Sequence, residues 1–494
     1  MEYQLPQTLS PCTERQCSHS CTSGPAIMSA SERESSLTTT LKNKNVKLAL
    51  AYTFLSSASR GIWAFVTLSN FINVLTGSTL NVGFAEAVQG CSQAIFALLG
   101  GYLADKYSRS AVLKGAGVVG VLACGVAIFM LVYNSGKGGW MTSYVRYDFV
   151  VGFLAMWGAY QGLGSTALET IFADSVATGK RSEFSTRKFM FLQIASITGP
   201  IIAICLFLYK GNHWHINTLS TIFLIGIVLS LPSVMLLFFF SDQYTLGISS
   251  ESHSSPKVKG DKTDQDLLIV PFLSEGDSNM DVEVQSRGSN DELSRLHRIP
   301  YVLGLSDVVS GISAGMTVKF FPLFFANEIG LSPVFTNAIY VGLPLVMAAM
   351  ARGFQYIGRV CGRVETAVIM SIVGALSLIT LWWFVEHVGP NMSPTWLIIL
   401  LYVLSTSQHC VRPLKKSLLM DYVPKRKRGV WNAVDSVTRF GWSGSALLGG
   451  WIIHYYGYGT SFLYTGILQI VAAFILALLI PLVPGNEQKR AASS

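Results

Sequence analysis

The sequence predicts an all-α integral membrane protein with twelve transmembrane helices in two pseudo-symmetric six-helix bundles. Of its 494 residues, 50% are hydrophobic and only 13% are charged, too few polar residues to cover a soluble globule of this size. Apolar runs of about 20 residues or more, long enough to cross the hydrocarbon core as helices, recur along the chain. A polar stretch divides them into two sets of six, as expected of a duplicated bundle.

The apolar runs also predict the domain boundaries. We expect a disordered leader at 1–45, a first bundle at 46–240, a linker at 241–297, a second bundle at 298–484 and a tail at 485–494. The linker is rich in Ser, Asp, Glu and Lys and poor in aromatic residues, a composition typical of disorder. The predicted crossings are 47–73, 82–103, 111–133, 146–173, 187–209, 217–240, 298–326, 333–357, 363–386, 394–421, 428–454 and 460–484.

Basic residues concentrate in the turns on one side of the predicted bundle. The opposite turns hold only Lys137, Arg146 and Lys210. Because cytoplasmic loops of membrane proteins are enriched in Lys and Arg, we expect both termini and the linker to be cytoplasmic, in the plasma membrane or an endomembrane. Asn391 begins a glycosylation acceptor triplet on the outer side. The formal charge of +8 does not indicate nucleic-acid binding, since the bases form no face with interleaved aromatic residues.

The turn after the second run carries a motif that resembles a known family. Gly101, Leu103, Asp105, Lys106 and Arg109 stand in the places of the pattern G-x-L-a-D-r-x-G-r-r. This pattern joins the second and third helices of the major facilitator superfamily; here Ser108 replaces its usual glycine. The resemblance covers about residues 46–484 and implies the family's twelve-helix fold. It also implies a conformational latch at this turn, in which Asp105 contacts the cytoplasmic ends of neighbouring helices with Gly101, Lys106 and Arg109 in support.

Ionisable residues inside the runs are candidates for the functional site, because a charge in the bilayer is costly unless it faces water or a partner. Arg60 lies about thirteen residues into the first run, near or just beyond the midplane, and either contacts substrate or pairs with a carboxylate. Asp307 in the seventh run could bind a proton, a cationic group or Arg60. Lys319 either lines the cavity or extends outward. His409 is either a site residue or a packing residue.

Further candidates lie in the fourth run and toward the cytoplasmic ends. The stretch from Gln161 to Ser165 resembles the R-x-x-Q-G-x-G stretch of proton-coupled drug exporters, but Gly158 occupies the place of the arginine. We therefore retain Gln161 as a substrate or coupling candidate and place the exporters' mode of proton coupling in doubt. The cytoplasmic gate candidates are Glu169, Asp174, Arg412, Asp435 and Arg439.

The resemblance and these residues together predict alternating-access transport of a small organic solute. Basic residues outnumber acids deep in the runs, which favours an anionic or polyhydroxylated substrate; proton coupling is left open. The alternatives are a proton-coupled exporter of amphiphilic drug-like compounds and a membrane sensor that does not transport. No nucleophile, paired-acid or metal-spaced histidine motif is recognised, so we expect no enzyme activity, cofactor or metal. We expect a monomer in the lipid bilayer.

Overall fold

The structure, a computed structural model, describes residues 43–133, 142–176, 181–245, 289–389, 394–422, 438 and 441–483. Every regular element within these residues is helical. The α-helices are α1 (Lys44–Trp63), α2 (Val66–Thr76), α3 (Thr79–Lys106), α4 (Arg109–Tyr133), α5 (Ser143–Asp174), α6 (Arg181–Lys210), α7 (Ile216–Leu236), α8 (Ser289–Gly315), α9 (Phe321–Asn327), α10 (Pro333–Cys361), α11 (Arg363–Trp383), α12 (Thr395–Ser405), α13 (Ser407–Cys410), α14 (Arg412–Tyr422) and α15 (Ala446–Ala477).

Eight stretches of the described residues are long and apolar enough to cross a membrane. The last, Gly441–Ala477, divides into two helical arms at Gly457, whose φ of 84° places it outside helical geometry. The two arms match the eleventh and twelfth predicted crossings. The fourth predicted crossing corresponds to α5, and the first and seventh correspond to the helix pairs α1–α2 and α8–α9. The architecture is therefore consistent with twelve crossings.

The first and seventh crossings are broken helices, whereas the sequence predicts continuous runs. The first breaks at Ala64 and Phe65, and Thr67 Oγ1 donates to the carbonyl of Ile62 at 2.7 Å, which satisfies an acceptor near the break. The seventh breaks over Met316–Phe320 before Pro322 begins a new turn. Proline fits the start of a helix because it has no N–H to satisfy there. The two halves thus share a break in corresponding helices.

Aromatic clusters form part of the core of each half. In the N-terminal half the Trp63 ring lies 5.3 Å from Phe153, 5.1 Å from Trp157 and 5.6 Å from Phe223. In the C-terminal half Phe321 lies 4.3 Å from Tyr402 and 5.1 Å from Phe462. Trp63 and Trp157 are fully buried. These two indoles therefore pack the helices of the N-terminal half against one another.

Within the described residues, the main helix contacts between the halves are α3 with α15, α6 with α10, and α2 with α9. Close contacts between the halves lie toward the end of the bundle at which α3 begins, which we call the closed end. There a Cβ on Gly83 would lie 2.5 Å from the Ala446 carbonyl and one on Gly450 would lie 2.8 Å from the Thr79 carbonyl. The opposite end, which holds Lys106, Arg109 and Arg363, is called the basic end.

Two hydrogen-bonded loops also join the halves at the closed end. Trp214 Nε1 donates to the Leu331 carbonyl at 3.0 Å, and Val334 N donates to Asn212 Oδ1 at 3.0 Å. Asn212 and Trp214 lie in the loop between α6 and α7, Leu331 lies in the loop between α9 and α10, and Val334 is the second residue of α10. Each bond therefore crosses from one half to the other. The structure thus holds the closed end shut with both helix packing and loop contacts.

Ordered structure extends beyond the predicted bundle boundaries into the range expected to be linker. Helix α8 begins at Ser289, nine residues before the expected start of the second bundle. After α7, Asp242 Oδ2 accepts from the N–H and the hydroxyl of Ser110 at 3.2 and 2.5 Å, and Asn45 Nδ2 donates to the Ser241 carbonyl at 2.9 Å. These contacts fix the start of the linker to the basic end of the N-terminal half.

Candidate functional site

Arg60 lies one turn before the end of α1 and is half-buried. Its guanidinium interacts electrostatically with Tyr52, Tyr160 and Glu86. The two tyrosine hydroxyls hydrogen-bond each other at 2.9 Å, which joins α1 to α5 beside the arginine. Gln161 follows Tyr160 on α5 and is likewise half-buried. A guanidinium with phenolic hydroxyls can bind a carboxylate, a phosphate or a hydroxylated ring.

Lys319 forms an ion pair with a residue of the other half. Its ammonium donates to Glu86 Oε2 at 2.8 Å and lies 5.7 Å from the Phe65 ring and 5.5 Å from the Trp442 ring. Glu86 is only 2% exposed. Of the two orientations open to Lys319 from the sequence, the structure shows the inward one, in which its charge lies between the halves.

The Glu86–Lys319 pair stands where the two broken helices face each other. Phe65 lies in the break between α1 and α2, and Lys319 lies in the break between α8 and α9. Ser69 Oγ, on α2, donates to the carbonyl of Lys319 at 3.4 Å. In transporters, discontinuous helices expose backbone groups near substrate and ion sites. The two charges of the pair therefore separate when the halves move apart at this point.

Asp307 lies in α8 and contacts a residue of its own half. Lys415 Nζ donates to Asp307 Oδ1 at 3.1 Å, which ties α8 to α14. The Lys415 side chain is 8% exposed and that of Asp307 is 37% exposed. His409, half-buried in α13, lies within electrostatic range of Arg412 and Lys415. These residues form a second, basic cluster that is distinct from the Arg60 cluster.

The gate candidates at the basic end of the N-terminal half form ion pairs within that half. Arg109, the first residue of α4, pairs with Asp174 at the end of α5. Lys188 on α6 donates to Glu169 Oε1 at 2.6 Å. Lys106 is exposed, with its ammonium 5.7 Å from the Tyr102 ring and 5.5 Å from the Tyr107 ring. The side chain of Asp105 is not described, so its predicted latch contact stays a prediction.

Other candidates divide into those the structure locates and those it leaves out. Gly101 faces α5, because a Cβ added to it would lie 3.7 Å from Thr166 Cγ2. Arg412 is exposed. Asn391, Asp435 and Arg439 lie outside the described residues. Within the described ranges, no group of three or more His, Cys, Asp or Glu side chains could hold a metal ion.

The sequence did not identify Glu86, the hydrogen-bonded pair of Tyr52 and Tyr160 beside Arg60, or the pairing of Lys415 with Asp307. Glu86 carried a usable signal, since it is an acid inside the second predicted crossing. The same rule that selected Arg60, an ionisable side chain within the bilayer, applies to Glu86. The tyrosines carried no comparable signal, because buried tyrosines are common in helix packing and only the fold places these two beside Arg60.

The helical bundle, its two halves and the charged groups between them define a multi-pass membrane transporter. The sequence matches the Major Facilitator Superfamily over residues 48–384 and 303–494. The chain therefore belongs to this family, and its general function is the transport of a small solute across a membrane. The family consists of transporters and not, in general, of enzymes. No curated protein sequence matches the chain significantly.

Solved structures show the same fold. The xylose transporter XylE from E. coli, in an inward-open conformation, aligns over 92% of this chain and 98% of its own with a TM-score of 0.61 and 14% identity. The nucleoside transporter NupG aligns over 88% and 99% with a TM-score of 0.57 and 13% identity. A bacterial homologue of the iron transporter ferroportin, in an inward-facing state, aligns over 89% and 98% with a TM-score of 0.55 and 16% identity. At these identities the likeness concerns the fold alone.

Proposed function

We propose that the protein carries a small organic solute with an anionic or polyhydroxylated group across the membrane by alternating access. The observation that supports this proposal best is the half-buried Arg60, which lies deep in the bundle beside the hydroxyls of Tyr52 and Tyr160. In the cluster beside the breaks of the first and seventh crossings, the cations Arg60 and Lys319 both interact with the acid Glu86. The excess positive charge favours a solute that brings a negative or hydrogen-bonding group.

The orientation is proposed from the basic turns. Lys106, Arg109, Lys188 and Arg363 lie at one end of the described bundle. Because such residues are retained in the cytoplasm, the basic end faces the cytoplasm and the closed end faces outward or into an organelle lumen. Both termini then lie in the cytoplasm, and the protein acts as a monomer in the plasma membrane or an endomembrane. In this arrangement the structure is closed toward the outer side.

Helix packing argues against the drug-exporter alternative. In the exporter stretch an arginine would occupy position 158, but a Cβ on Gly158 would lie 3.0 Å from Ser92 Cβ and 3.1 Å from Gln93 N of α3. These distances leave no room for a long side chain between α3 and α5. The described structure therefore supports a different arrangement of charges, centred on Arg60.

Transport by purified protein in proteoliposomes tests this proposal. We expect uptake of one or more members of a panel of sugar acids, carboxylates, sugar phosphates, nucleosides and neutral sugars. Arg60→Gln should lower the uptake of an anionic member about 10- to 100-fold, since hydrogen bonds to a charged group contribute about 1.5–3 kcal/mol. The matched control is Lys47→Gln, an exposed cation on the same helix, which should leave uptake unchanged.

Two results would overturn the proposal. If Arg60→Gln transports every substrate as well as the native protein does, Arg60 does not bind the solute. If members of the panel raise the melting temperature of correctly inserted protein but none is carried, the protein is a sensor.

A further inference from the structure

We propose that the loop between α6 and α7 binds a divalent transition-metal cation such as Zn²⁺ through His213 and His215, and that the bound ion holds the closed end shut. The metal site itself does not depend on the proposed function. Its effect on the closed end rests on that function, because alternating access requires the halves to separate there. The ion acts as a regulator taken up from solution.

The backbone of this loop places the two histidines on one face. His213 N donates to the Gly211 carbonyl and His215 N donates to the His213 carbonyl, both at 2.9 Å. Hydrogen bonds of this span are those of γ-turns. His215 is extended, with a φ of −86° and a ψ of 139°, and side chains alternate along extended backbone. Both histidines are accordingly exposed, whereas Trp214 between them is half-buried.

The two imidazole rings lie at a distance suited to a shared metal ion. Their centres are 5.6 Å apart and their planes meet at 57°. An imidazole nitrogen lies about 2.0–2.1 Å from Zn²⁺, so two tetrahedral ligands have ring centres about 5 Å apart. Because both side chains are exposed, small rotations about their χ angles turn a nitrogen of each ring toward one ion. Water fills the other positions around the metal.

Imidazole nitrogen determines the class of cation. It suits Zn²⁺, Ni²⁺ and Cu²⁺, whereas Mg²⁺ and Ca²⁺ prefer oxygen ligands. Within the described ranges no third His, Cys, Asp or Glu side chain joins the pair. We therefore expect reversible binding and not the closed coordination of a structural zinc site. The sequence alone predicts no metal here, because only the fold shows the two rings side by side.

Trp214 connects the histidine pair to the contact between the halves. Its indole lies 5.8 Å from the Phe207 ring of α6, and its Nε1 donates to the Leu331 carbonyl of the other half at 3.0 Å. The neighbouring Asn212 Oδ1 accepts from Val334 N at 3.0 Å. These contacts hold the loop in the conformation that brings the histidines together. The bonds to the other half break when the closed end opens, and the loop is then released.

A cation that binds the held loop more tightly than the released loop stabilises the closed end. The coupling is reciprocal, since closure raises the affinity for the ion and the ion lowers the population of the open state. If the released loop does not bind, a Zn²⁺ concentration about ten times the dissociation constant reduces the open population about tenfold.

Zinc binding to the full-length chain is measured first, by competition with a zinc indicator dye. The eight native cysteines are changed to Ser or Ala, so that thiols do not bind the metal. His213→Ala with His215→Ala should lower the affinity by about tenfold or more, because loss of even an outer-shell partner has effects of this size. The matched control, His454→Ala, removes an exposed imidazole from the other half and should leave the affinity unchanged.

The double histidine variant should fold normally. Both side chains are exposed, and that of His215 makes no hydrogen bond to the start of α7. Its melting temperature without Zn²⁺ should therefore equal that of the parent. In the parent, added Zn²⁺ should raise the melting temperature, and in the double variant it should not.

Thiol labelling shows whether the ion holds the closed end. Ser69 on α2 is 2% exposed and donates to the Lys319 carbonyl of the other half, so a reagent reaches it only after the halves separate. Ser69→Cys is made in the cysteine-free chain, and a membrane-impermeant thiol reagent is applied from the side of the closed end. At a Zn²⁺ concentration about ten times the dissociation constant, labelling should slow by up to about tenfold. With the double histidine substitution added, labelling should not respond to Zn²⁺.

Trp214→Phe tests the connection between the metal site and the closed end. It removes the indole N–H that donates to the other half but keeps an aromatic ring and both histidines. We expect weaker Zn²⁺ binding and a smaller effect of Zn²⁺ on labelling, because closure then holds the loop less firmly. An unchanged affinity together with an unchanged effect on labelling would overturn this coupling.

The remaining outcomes separate this inference from the proposed function. Equal zinc affinity of the parent and the double histidine variant would overturn the metal site. Binding through the histidines without slower labelling would overturn control of the closed end. With a transported solute, Zn²⁺ should slow uptake by the parent but not by the double variant. If no solute is carried and labelling still responds to Zn²⁺ through the histidines, the proposed function fails while the inference stands.

Discussion

At the scale of single residues, replacing Asp307 and replacing Lys415 should lower the stability of the protein by different amounts, although the two side chains form one ion pair. Lys415 is almost fully buried, whereas more than a third of Asp307 is exposed. Asp307→Asn should therefore destabilise the protein by about 1–3 kcal/mol, because it leaves a buried ammonium without its counter-charge. Lys415→Met should cost less, about 1 kcal/mol or under, since water still solvates the carboxylate.

Thermal unfolding of the purified variants measures this difference. The double variant Asp307→Asn with Lys415→Met should recover most of the stability lost in Asp307→Asn alone, because the buried charge is gone. Equal losses for the two single variants, or a purely additive double variant, would show that the two side chains do not act as a pair.

The sequence identified some charged residues but could not identify their partners. Arg60, Asp307 and Lys319 were predictable because each is an ionisable group inside an apolar run. The carboxylate that pairs with Lys319 lies 233 residues away in the chain, and the cation that pairs with Asp307 lies 108 residues away. Such pairings depend on how the helices meet in space. Asp307 therefore binds Lys415 of its own half, although Arg60 was also a candidate from sequence.

At the scale of helices, a methyl group added to a glycine should lower stability at a tight helix crossing but not at an open position. A Cβ on Gly199 would lie 2.7 Å from the Ala58 carbonyl, where α6 crosses α1 within the N-terminal half. Gly199→Ala should lower stability by about 1–3 kcal/mol, as overpacking of a helix contact does. The control is Gly152→Ala in the same half, where a Cβ would meet nothing within 4 Å. Melting temperatures of the two variants provide the test, and equal values would contradict the crowding argument.

Gly83 makes the corresponding contact between the halves. A Cβ there would lie 2.5 Å from the Ala446 carbonyl of α15, a contact that exists only while the closed end is shut. Gly83→Ala should therefore favour opening of the closed end more than it lowers the stability of the fold. We expect faster thiol labelling of Ser69→Cys from the closed side and a melting temperature closer to native than that of Gly199→Ala. A large loss of stability with unchanged labelling would show that this contact belongs to the fold itself.

The sequence predicts a helix correctly where the length of an apolar run alone determines it. It did not predict the breaks in the first and seventh crossings, because the residues at the first break, Ala64 and Phe65, continue the apolar run. Pro322 is a signal for the second break, but it lies just after the non-helical turn. The breaks become visible only when the helices pack, since neighbouring hydroxyls and helices must satisfy the freed backbone groups.

At the scale of the whole molecule, twofold repetition was readable from the number of apolar runs, and the family match supports it. The direction of closure was not readable, because it depends on which ends of the helices meet. Small residues such as Gly83 and Gly450 allow close contact at one end, but glycines occur throughout the helices of both halves. The latch motif after α3 indicated that the molecule changes state without indicating which state is adopted.

The contact between the α6–α7 and α9–α10 loops provides a direct test of movement between the halves. Asn212 Oδ1 accepts from Val334 N at 3.0 Å across the closed end, so cysteines at these two positions should be joined by a short bifunctional thiol reagent. Because the link holds the halves together at that end, it should abolish solute uptake, and reduction of a cleavable link should restore it. Each single-cysteine variant should transport normally after the same treatment.

An impermeant reagent should act only from the side opposite the basic turns, which also tests the proposed orientation. Undiminished uptake by fully cross-linked protein would mean that the solute crosses without separation of the halves at the closed end, and alternating access would then be wrong.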